Sequence, residues 1–346
     1  MPLLRMEVFP YRLRLAAPWP GPGGPPSWRR GWWLRLAVSD GEGWGECAPL
    51  PAAGTETEAL AARRLADLAD WGGTETEAWT LATAWRDETP AVACALETAL
   101  LDLSARRQGL PLRRLLEPEA ADRVAVSAMA GSLARPWGLA SALEAGFRVI
   151  KLKTGGLDAD DAARKARALA LTLPGKRALR LDANRAWSFD AARRFLTMME
   201  GEGLESVEEP LRQPDATRLA RLQAQSPVPL ALDESFQPLG GALLLNRFPV
   251  RRLMLKPMAL GGLRPTLALA RKARTAGVEP VITSTLESAV GLHAAAHLAA
   301  ALAACNPDIR HGLATASWLR DDPHPPPSLE KGYLWLSDDP GLGLTP

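Results

Sequence analysis

The feature that most constrains this 346-residue chain is a series of ionisable residues, each at the end of a short apolar segment. Asp182, Glu208 and Asp233 are separated by 26 and 25 residues. They close Leu179-Arg180-Leu181-Asp182, Leu204-Glu205-Ser206-Val207-Glu208 and Leu230-Ala231-Leu232-Asp233. Val149-Ile150-Lys151-Leu152-Lys153 precedes them and Leu253-Met254-Leu255-Lys256 follows. Apolar runs of strand length alternating with helix-length stretches read as repeated βα units. In an open doubly wound sheet, strands consecutive in sequence need not be neighbours in space. In a closed β/α barrel all strand ends join one ring, which gives a reason for a charge on each. The spacing therefore predicts a barrel.

Barrel strands are expected over 124–129, 149–153, 178–182, 206–208, 229–233, 252–256, 279–283 and 308–312. Helices are expected over 160–171, 189–202, 217–225, 265–276 and 289–304. Ahead of the barrel, residues 7–15 alternate like a strand, and Pro10 argues for a sheet edge. Segments 32–39 and 44–48 follow as strands, with a Pro/Gly stretch over 18–26 before them. That stretch, set inside a strand meander, reads as a cover for an active site. Trp28, Trp32 and Trp33 either line the pocket beneath it or pack in the core. Thr-x-x-Glu at 55–58 and 74–77 predicts two helix starts with capping boxes. A third helix is expected over 91–107, with Val92, Leu96, Ala99, Leu100 and Leu103 on one face and Gly109 as its stop. The expected fold class is thus α/β: a (β/α)7β modified TIM barrel over 121–320 behind an N-terminal α+β capping domain over 1–120. Residues 321–346 are expected to return to the capping domain.

Forty-one basic residues against 39 acidic give a net charge of +2, with no long run of one sign. Nucleic acid and anionic membrane are therefore poor partners for this chain, and a small molecule is the expected one. Lacking an apolar run of ~18 residues, and with charges scattered through its start, the sequence reads as cytoplasmic. Cys47, Cys94 and Cys305 read as reduced core thiols, without zinc spacing. Oligomeric state has no signature here.

Neighbouring strands lie ~4.8 Å apart, so three inward carboxylates at adjacent strand ends crowd one another unless a cation joins them. Oxygen donors suit Mg2+, with Mn2+ as the alternative. Glu208 and Glu209 alternate in direction, so only one of the pair points inward. Lys151 and Lys153 share a face, and mutual repulsion with partial burial is expected to lower the pKa of at least one. Such an amine serves as a general base. Lys256, on the sixth strand of eight, approaches from the opposite side. A carboxylate substrate held on the cation would have its α-carbon between two amines. The chemistry indicated is abstraction of a proton α to a carboxylate.

These motifs resemble the enolase superfamily, in its muconate-lactonising group. The carriers are Lys151-Leu152-Lys153, Leu181-Asp182-Ala183-Asn184, Val207-Glu208-Glu209-Pro210, Leu232-Asp233-Glu234-Ser235 and Lys256-Pro257-Met258. The resemblance implies Asp182, Glu208 and Asp233 as magnesium ligands. It implies Lys153 as the main acid/base, Lys151 as its modulator and Lys256 as the opposing lysine. Asn184, Glu234, Ser284 and Thr285 are candidate substrate contacts. Within the group, Gly43-Trp44-Gly45-Glu46-Cys47-Ala48-Pro49, residues 284–291 and His311-Gly312-Leu313-Ala314-Thr315 most resemble the o-succinylbenzoate synthases. Dipeptide epimerases would show an Asp-x-Asp that grips the substrate amine where His311–Thr315 is Gly/Thr-rich; here Asp308 stands alone, with Arg310 two residues on, whereas N-acylamino-acid racemases, whose substrate lacks the ammonium, are compatible with the pattern.

Other motifs give less. His293 and His297 are one helical turn apart, but no Glu intervenes as in a zinc protease, so an Ala-rich packing face is expected. Ser284 and Ser288 lack a nucleophile elbow. A barrel kept only as a binding scaffold is disfavoured, because every expected ligand is present.

Overall fold

The computed structural model describes residues 3–16, 28–69, 71–304 and 306–344. The expected cover at 18–26 and Cys305 lie outside the described residues. The chain opens with an antiparallel meander of β1 (Leu4–Leu15), β2 (Trp28–Val38) and β3 (Gly41–Cys47), with the short β4 (Gly72–Gly73) pairing on β1. Pro10 sits where its missing donor costs nothing. Among the described residues the outer edge of β1 is paired at Leu4–Arg5, by β4, and at Arg14–Leu15, by Leu319–Arg320, and not at Pro10.

Helices α1 (Glu58–Ala69), α2 (Glu75–Ala84) and α3 (Pro90–Arg107) cover one face of this sheet. Helix α3 lies unusually close to β3, which explains Gly43-x-Gly45. A Cβ at Gly43 would stand 2.1 Å from the Ala99 carbonyl oxygen, and one at Gly45 2.0 Å from that of Ala95. Leu34, Leu36, Leu65, Leu68, Leu96, Leu100 and Leu103 form the core between the layers.

One expected capping box forms and one does not. The Thr74 Oγ1 accepts from Glu77 N at 3.3 Å, and Thr74 N donates to Glu77 Oε2 at 2.7 Å. At 55–58 the box is absent: Thr55 Oγ1 accepts from Leu50 N, and Thr57 precedes the helix, accepting from Leu60 N. The helix begins at Glu58, so Glu58 is its first residue and cannot serve as the N3 partner, and Thr57 takes the cap position. Glu56, between the two threonines, accepts from Ala91 N and Val92 N at the start of α3.

After α4 (Leu112–Leu116), eight parallel strands close a barrel. They are β5 (Arg123–Ser132), β6 (Val149–Lys153), β7 (Ala178–Asp182), β8 (Leu204–Glu208), β9 (Leu230–Leu232), β10 (Arg252–Leu255), β11 (Glu279–Ile282) and β12 (His311–Ala314). The ring closes through β12 on β5 and a parallel bridge between Thr283 and Gly312. Six crossings are α5 (Leu139–Glu144), α6 (Ala159–Thr172), α7 (Phe189–Met198), α8 (Ala216–Ala224), α10 (Leu263–Thr275) after the short α9 (Pro257–Leu260), and α11 (Ala289–Ala303). The fifth is a 3₁₀ helix, Gly241–Arg247. Asp158, Ser188 and Asp215 cap α6, α7 and α8, each accepting from the amide three residues on.

Strand parity sorts the two sides of the barrel wall. Ile150, Leu152, Leu179, Leu181, Val207, Leu230, Leu253 and Leu255 join the large core beneath the helices. Ala231, Met254, Val281 and Ile309 form a separate small cluster. Toward the strand starts lies an ionic floor: Arg180 donates to Glu205 twice at 3.0 Å, while Arg252 pairs with Glu205 and Glu279 at 2.6 Å each.

The last segment departs in part from the expected return to the capping domain. Return begins earlier, at Leu319–Arg320 on β1, and the hairpin Ser328–Glu330 with Tyr333–Trp335 pads β5 of the barrel instead. Only then does the chain regain α3, where Asp102 accepts from Leu342 N at 2.6 Å. Of its two central leucines, Leu334 is buried in the barrel core between half-buried Tyr333 and Trp335, while Leu329 opposite it stays exposed.

Candidate active site

Parallel register brings the predicted charges together. Lys153 pairs with Asp182 across β6 and β7, and Asp182 pairs with Glu208 across β7 and β8. Asp233 and Lys256 immediately follow β9 and β10. Lys151 donates to Glu208 and stands 3.5 Å from Asp182 Oδ2. Lys153 Nζ is 3.5 Å from the same oxygen and donates to Asn184 Oδ1 at 2.9 Å. Lys256 Nζ straddles Asp233 at 2.5 and 2.6 Å. All of these lie at the strand C-terminal ends, under the capping domain, where β/α barrels hold their chemistry.

The residues 138–346 match the family described as enolase C-terminal domain-like. The chain belongs to the enolase superfamily. It falls among the muconate-lactonising type, with cycloisomerases, o-succinylbenzoate synthases and dipeptide epimerases as relatives. A hydrophobic dipeptide epimerase of Roseobacter litoralis is 30% identical over 322 residues, covering 90% of each chain. An o-succinylbenzoate synthase of Desulfotalea psychrophila is 29% identical over 342 residues, covering 88% of this chain and 92% of the relative. Among solved structures, a dipeptide epimerase of Methylococcus capsulatus, in complex with Mg and L-Arg-D-Lys, superposes with a TM-score of 0.85. It is 28% identical and covers the whole of both chains.

In this enolase-superfamily member, Glu208 and Glu209 part company. Glu208 is fully buried and faces Lys151. Glu209, with φ of 45°, turns away. It accepts from Asp233 N at 2.7 Å, Ser235 N at 2.9 Å and Ser235 Oγ at 2.6 Å. The sequence leaves the pair open; the structure gives Glu208 to the mouth and makes Glu209 the brace of the next strand end.

Lys151 shows the opposite of the expected lowering. Burial pulls Lys151 down, but the nearby carboxylates of Glu208, Asp182 and Asp233 outweigh it and raise its pKa. Lys256 is likewise raised, burial being outweighed by Asp233. Lys151 has two of those carboxylates, Glu208 and Asp182, within 3.5 Å.

As the side chains stand, lysines fill the gaps between the carboxylates. Among the described residues no three acidic, His or Cys side chains are gathered to hold a metal. The donor chemistry nonetheless fits a hard divalent cation. Three carboxylates occupy three successive strand ends, and Glu208 Oε1 is buried without any hydrogen-bond partner.

The remaining predicted contacts divide. Asn184, held at φ 45°, reaches Lys153, while half-buried Glu234 borders Asp233. Ser284 Oγ meets Thr315 Oγ1 at 3.1 Å. Thr285 is buried, and its hydroxyl donates to Glu287 rather than facing the mouth. Asp308 lies before β12, at the opposite end of the barrel from the lysines. His293 and His297 are structural: His293 contacts the Pro325 carbonyl at 3.1 Å, and His297 accepts from Arg113 N at 3.1 Å. Cys47 and Cys94 are free and buried, and burial pushes both thiols up. Among the described residues no helix is long and apolar enough to cross a membrane.

Sequence reading missed Arg29, Glu46 and Glu287. Arg29 and Glu46 have loop partners far along the chain, whereas Glu287 is tied to Ser284 and Thr285 within three residues. The only available signal is that a charge in a strand of otherwise inward residues needs a buried partner.

Proposed function

We propose that this protein is an o-succinylbenzoate synthase, eliminating water from 2-succinyl-6-hydroxy-2,4-cyclohexadiene-1-carboxylate on the way to menaquinone or phylloquinone. The observation that carries the reading is the end of the eighth strand. There Thr315 donates to Ser284 at 3.1 Å, and Asp308 is at the far end of the barrel. Among the described residues a free α-ammonium finds no acidic partner on the end of the eighth strand, which argues against a dipeptide. A substrate without nitrogen brings no ammonium that would be left unpaired there.

Asp182, Glu208 and Asp233 would hold Mg2+, the metal found with the Methylococcus capsulatus relative, with Mn2+ as a substitute. The bound cation supplies positive charge to the substrate carboxylate, which favours loss of the α-proton. Lys153 takes that proton, and the electron pair forms the new ring double bond as the C–O bond breaks. Lys153 then returns its proton to the departing hydroxyl, so water leaves and the ring becomes aromatic. A single base suffices because both groups leave from one face. Asn184 orients Lys153 through its 2.9 Å contact. Lys256, opposite, contributes a fixed ammonium to the charge that develops.

N-acylamino-acid racemisation is the second reading, favoured by the presence of lysines on both sides of the mouth. The discriminating experiment follows diene absorbance with Mg2+ and with EDTA, alongside solvent deuterium entry into N-succinylamino acids. Metal-dependent loss of the diene establishes the synthase. Deuterium entry without diene loss moves the assignment to the racemase, and silence in both removes both substrates.

A further inference from the structure

The loop between β11 and α11 is held in a conformation its sequence does not favour. Leu286 has a φ of 68°, in the left-handed region that suits glycine. Such a residue persists only where its surroundings impose it, and such sites cluster where function needs a fixed shape. Two sets of contacts impose it here.

The first set is local. Glu287 accepts from Thr285 N at 2.8 Å and from the hydroxyls of Ser284 and Thr285. Ser284 Oγ also accepts from Leu286 N at 2.8 Å, which leaves it beside Thr315.

The second set comes from the capping domain, more than 200 residues away in sequence. Arg29 is buried, and all five of its acceptors are main-chain carbonyls. Two belong to the loop: Leu286 O at 2.9 Å and Thr285 O at 3.4 Å. Two belong to the end of the meander: Pro49 O at 2.7 Å and Ala48 O at 2.5 Å. Glu46 is buried two residues before Ala48 and takes the loop's donors: Ser288 N at 2.8 Å, Ser288 Oγ at 2.6 Å and Gly291 N at 2.7 Å. Tyr11 donates to it as well, and Trp33 Nε1 donates to Ser288 Oγ at 2.9 Å. The first turn of the 15-residue α11 is therefore capped in trans, by a carboxylate from the other domain. Gly291 completes the fit, since a Cβ there would stand 2.8 Å from Glu46 Oε2.

We propose that Arg29 and Glu46 are positioning residues that clamp the loop's carbonyls and amides, so that the strand-end wall carrying Ser284 and Thr315 keeps its shape at the mouth only while the capping domain is docked. Burying a guanidinium and a carboxylate is costly, and the contacts made here all go to main-chain groups or to hydroxyls at one joint. That spending fits control of backbone shape better than ion pairing. The substrate part of this inference rests on the function proposed above; the clamp itself does not.

The test compares the full-length wild type with Glu46→Gln and Arg29→Lys. Glutamine places an N–H against a donor, and lysine keeps the charge while losing the fork. Amide exchange over residues 283–291 is expected to quicken about tenfold, the effect of losing one charge-assisted hydrogen bond. The KM for the diene acid, and the Kd for o-succinylbenzoate as the product, are expected to rise by about the same factor. The kcat should change far less, and Mn2+ binding, read by paramagnetic resonance, should not change. Folded variants with wild-type exchange and wild-type KM overturn the clamp. A parallel loss of Mn2+ binding overturns it too, because the capping domain would then act on the carboxylate cluster. A wild type that neither turns over the diene acid nor binds the product sinks the proposed function alone, and the exchange comparison still decides the clamp. If Glu46→Gln does not fold, Arg29→Lys carries the same readouts.

Discussion

Glu208 and Glu209, adjacent in sequence, serve opposite sides of the β8 end: one faces Lys151, the other ties down the backbone of Asp233 and Ser235. Their substitutions should separate accordingly. Glu208→Gln is expected to weaken Mn2+ binding more than ~100-fold, beyond the effect usual for outer contacts of a metal site. Glu209→Gln should cost roughly 1–3 kcal/mol of stability, because an N–H then faces donors, and weaken Mn2+ only about tenfold. Urea denaturation and metal titration of both variants decide it. Equal effects on metal binding would remove the distinction.

The lysines divide by role. Lys153→Arg is expected to lower dehydration by on the order of 10³-fold with Mg2+ binding retained. Lys256→Ala should slow turnover while leaving deuterium exchange by Lys153 measurable on a racemase substrate. Wild-type dehydration by Lys153→Arg would end its assignment as the base.

Acid should loosen the barrel through its buried histidines. Burial lowers His297 and His311 from 6.5 to about 3, so both are neutral in the fold. Each Nδ1 accepts from an amide, Arg113 N and Ile282 N respectively. The unfolded chain takes up protons below about 6.5 while the native chain does not, so stability is complete above that pH and falls as pH drops toward 3. At pH 5 the loss is roughly 2 kcal/mol per histidine. Urea midpoints between pH 8 and 4 measure the slope, and His297→Gln should make it shallower. An unchanged slope would mean that other groups dominate.

The failed capping box at 55–58 also makes a prediction. Glu56→Ala strips the start of α3 and should cost about 1–2 kcal/mol, as for loss of a helix cap. Glu58→Ala, at the position the motif marks as its reciprocal partner, should cost less than about 0.5 kcal/mol. Thermal unfolding of the two variants is sufficient, and a reversed order would restore the box.

Much of the architecture is legible because it is local. The alternation that puts Ile150 and Leu152 outside also puts Lys151 and Lys153 inside, and β6 is found over the predicted residues. Helix ends at Gly109 and strand ends at Asp182 follow the same short-range rules. What the sequence hides is long-range partner choice. Thr55-x-x-Glu58 matches a capping box, yet the helix is capped two residues later at Thr57, and Glu56 is claimed by α3, 35 residues on. Lys151 and Lys153 look like mutual repellers until Glu208, 57 residues from Lys151, is set beside them. Arg29 and Glu46 have partners more than 240 residues away, so no window of sequence reveals them.

The way the chain's last stretch is woven into its first domain bears on how the protein is made. Leu319–Arg320 completes the edge of β1, and buried Asp102 receives Leu342 N. Domains made early in synthesis ordinarily fold as they emerge. Here the opening domain leaves the ribosome with a raw sheet edge and with Asp102 held by Trp44 N and Arg106 but its Oδ1 still lacking a donor, and it keeps both until more than 200 further residues have followed α3 out. Its maturation is thereby timed by the emergence of residues 319–342, and a nascent chain arrested in the barrel should display a capping domain open to protease attack.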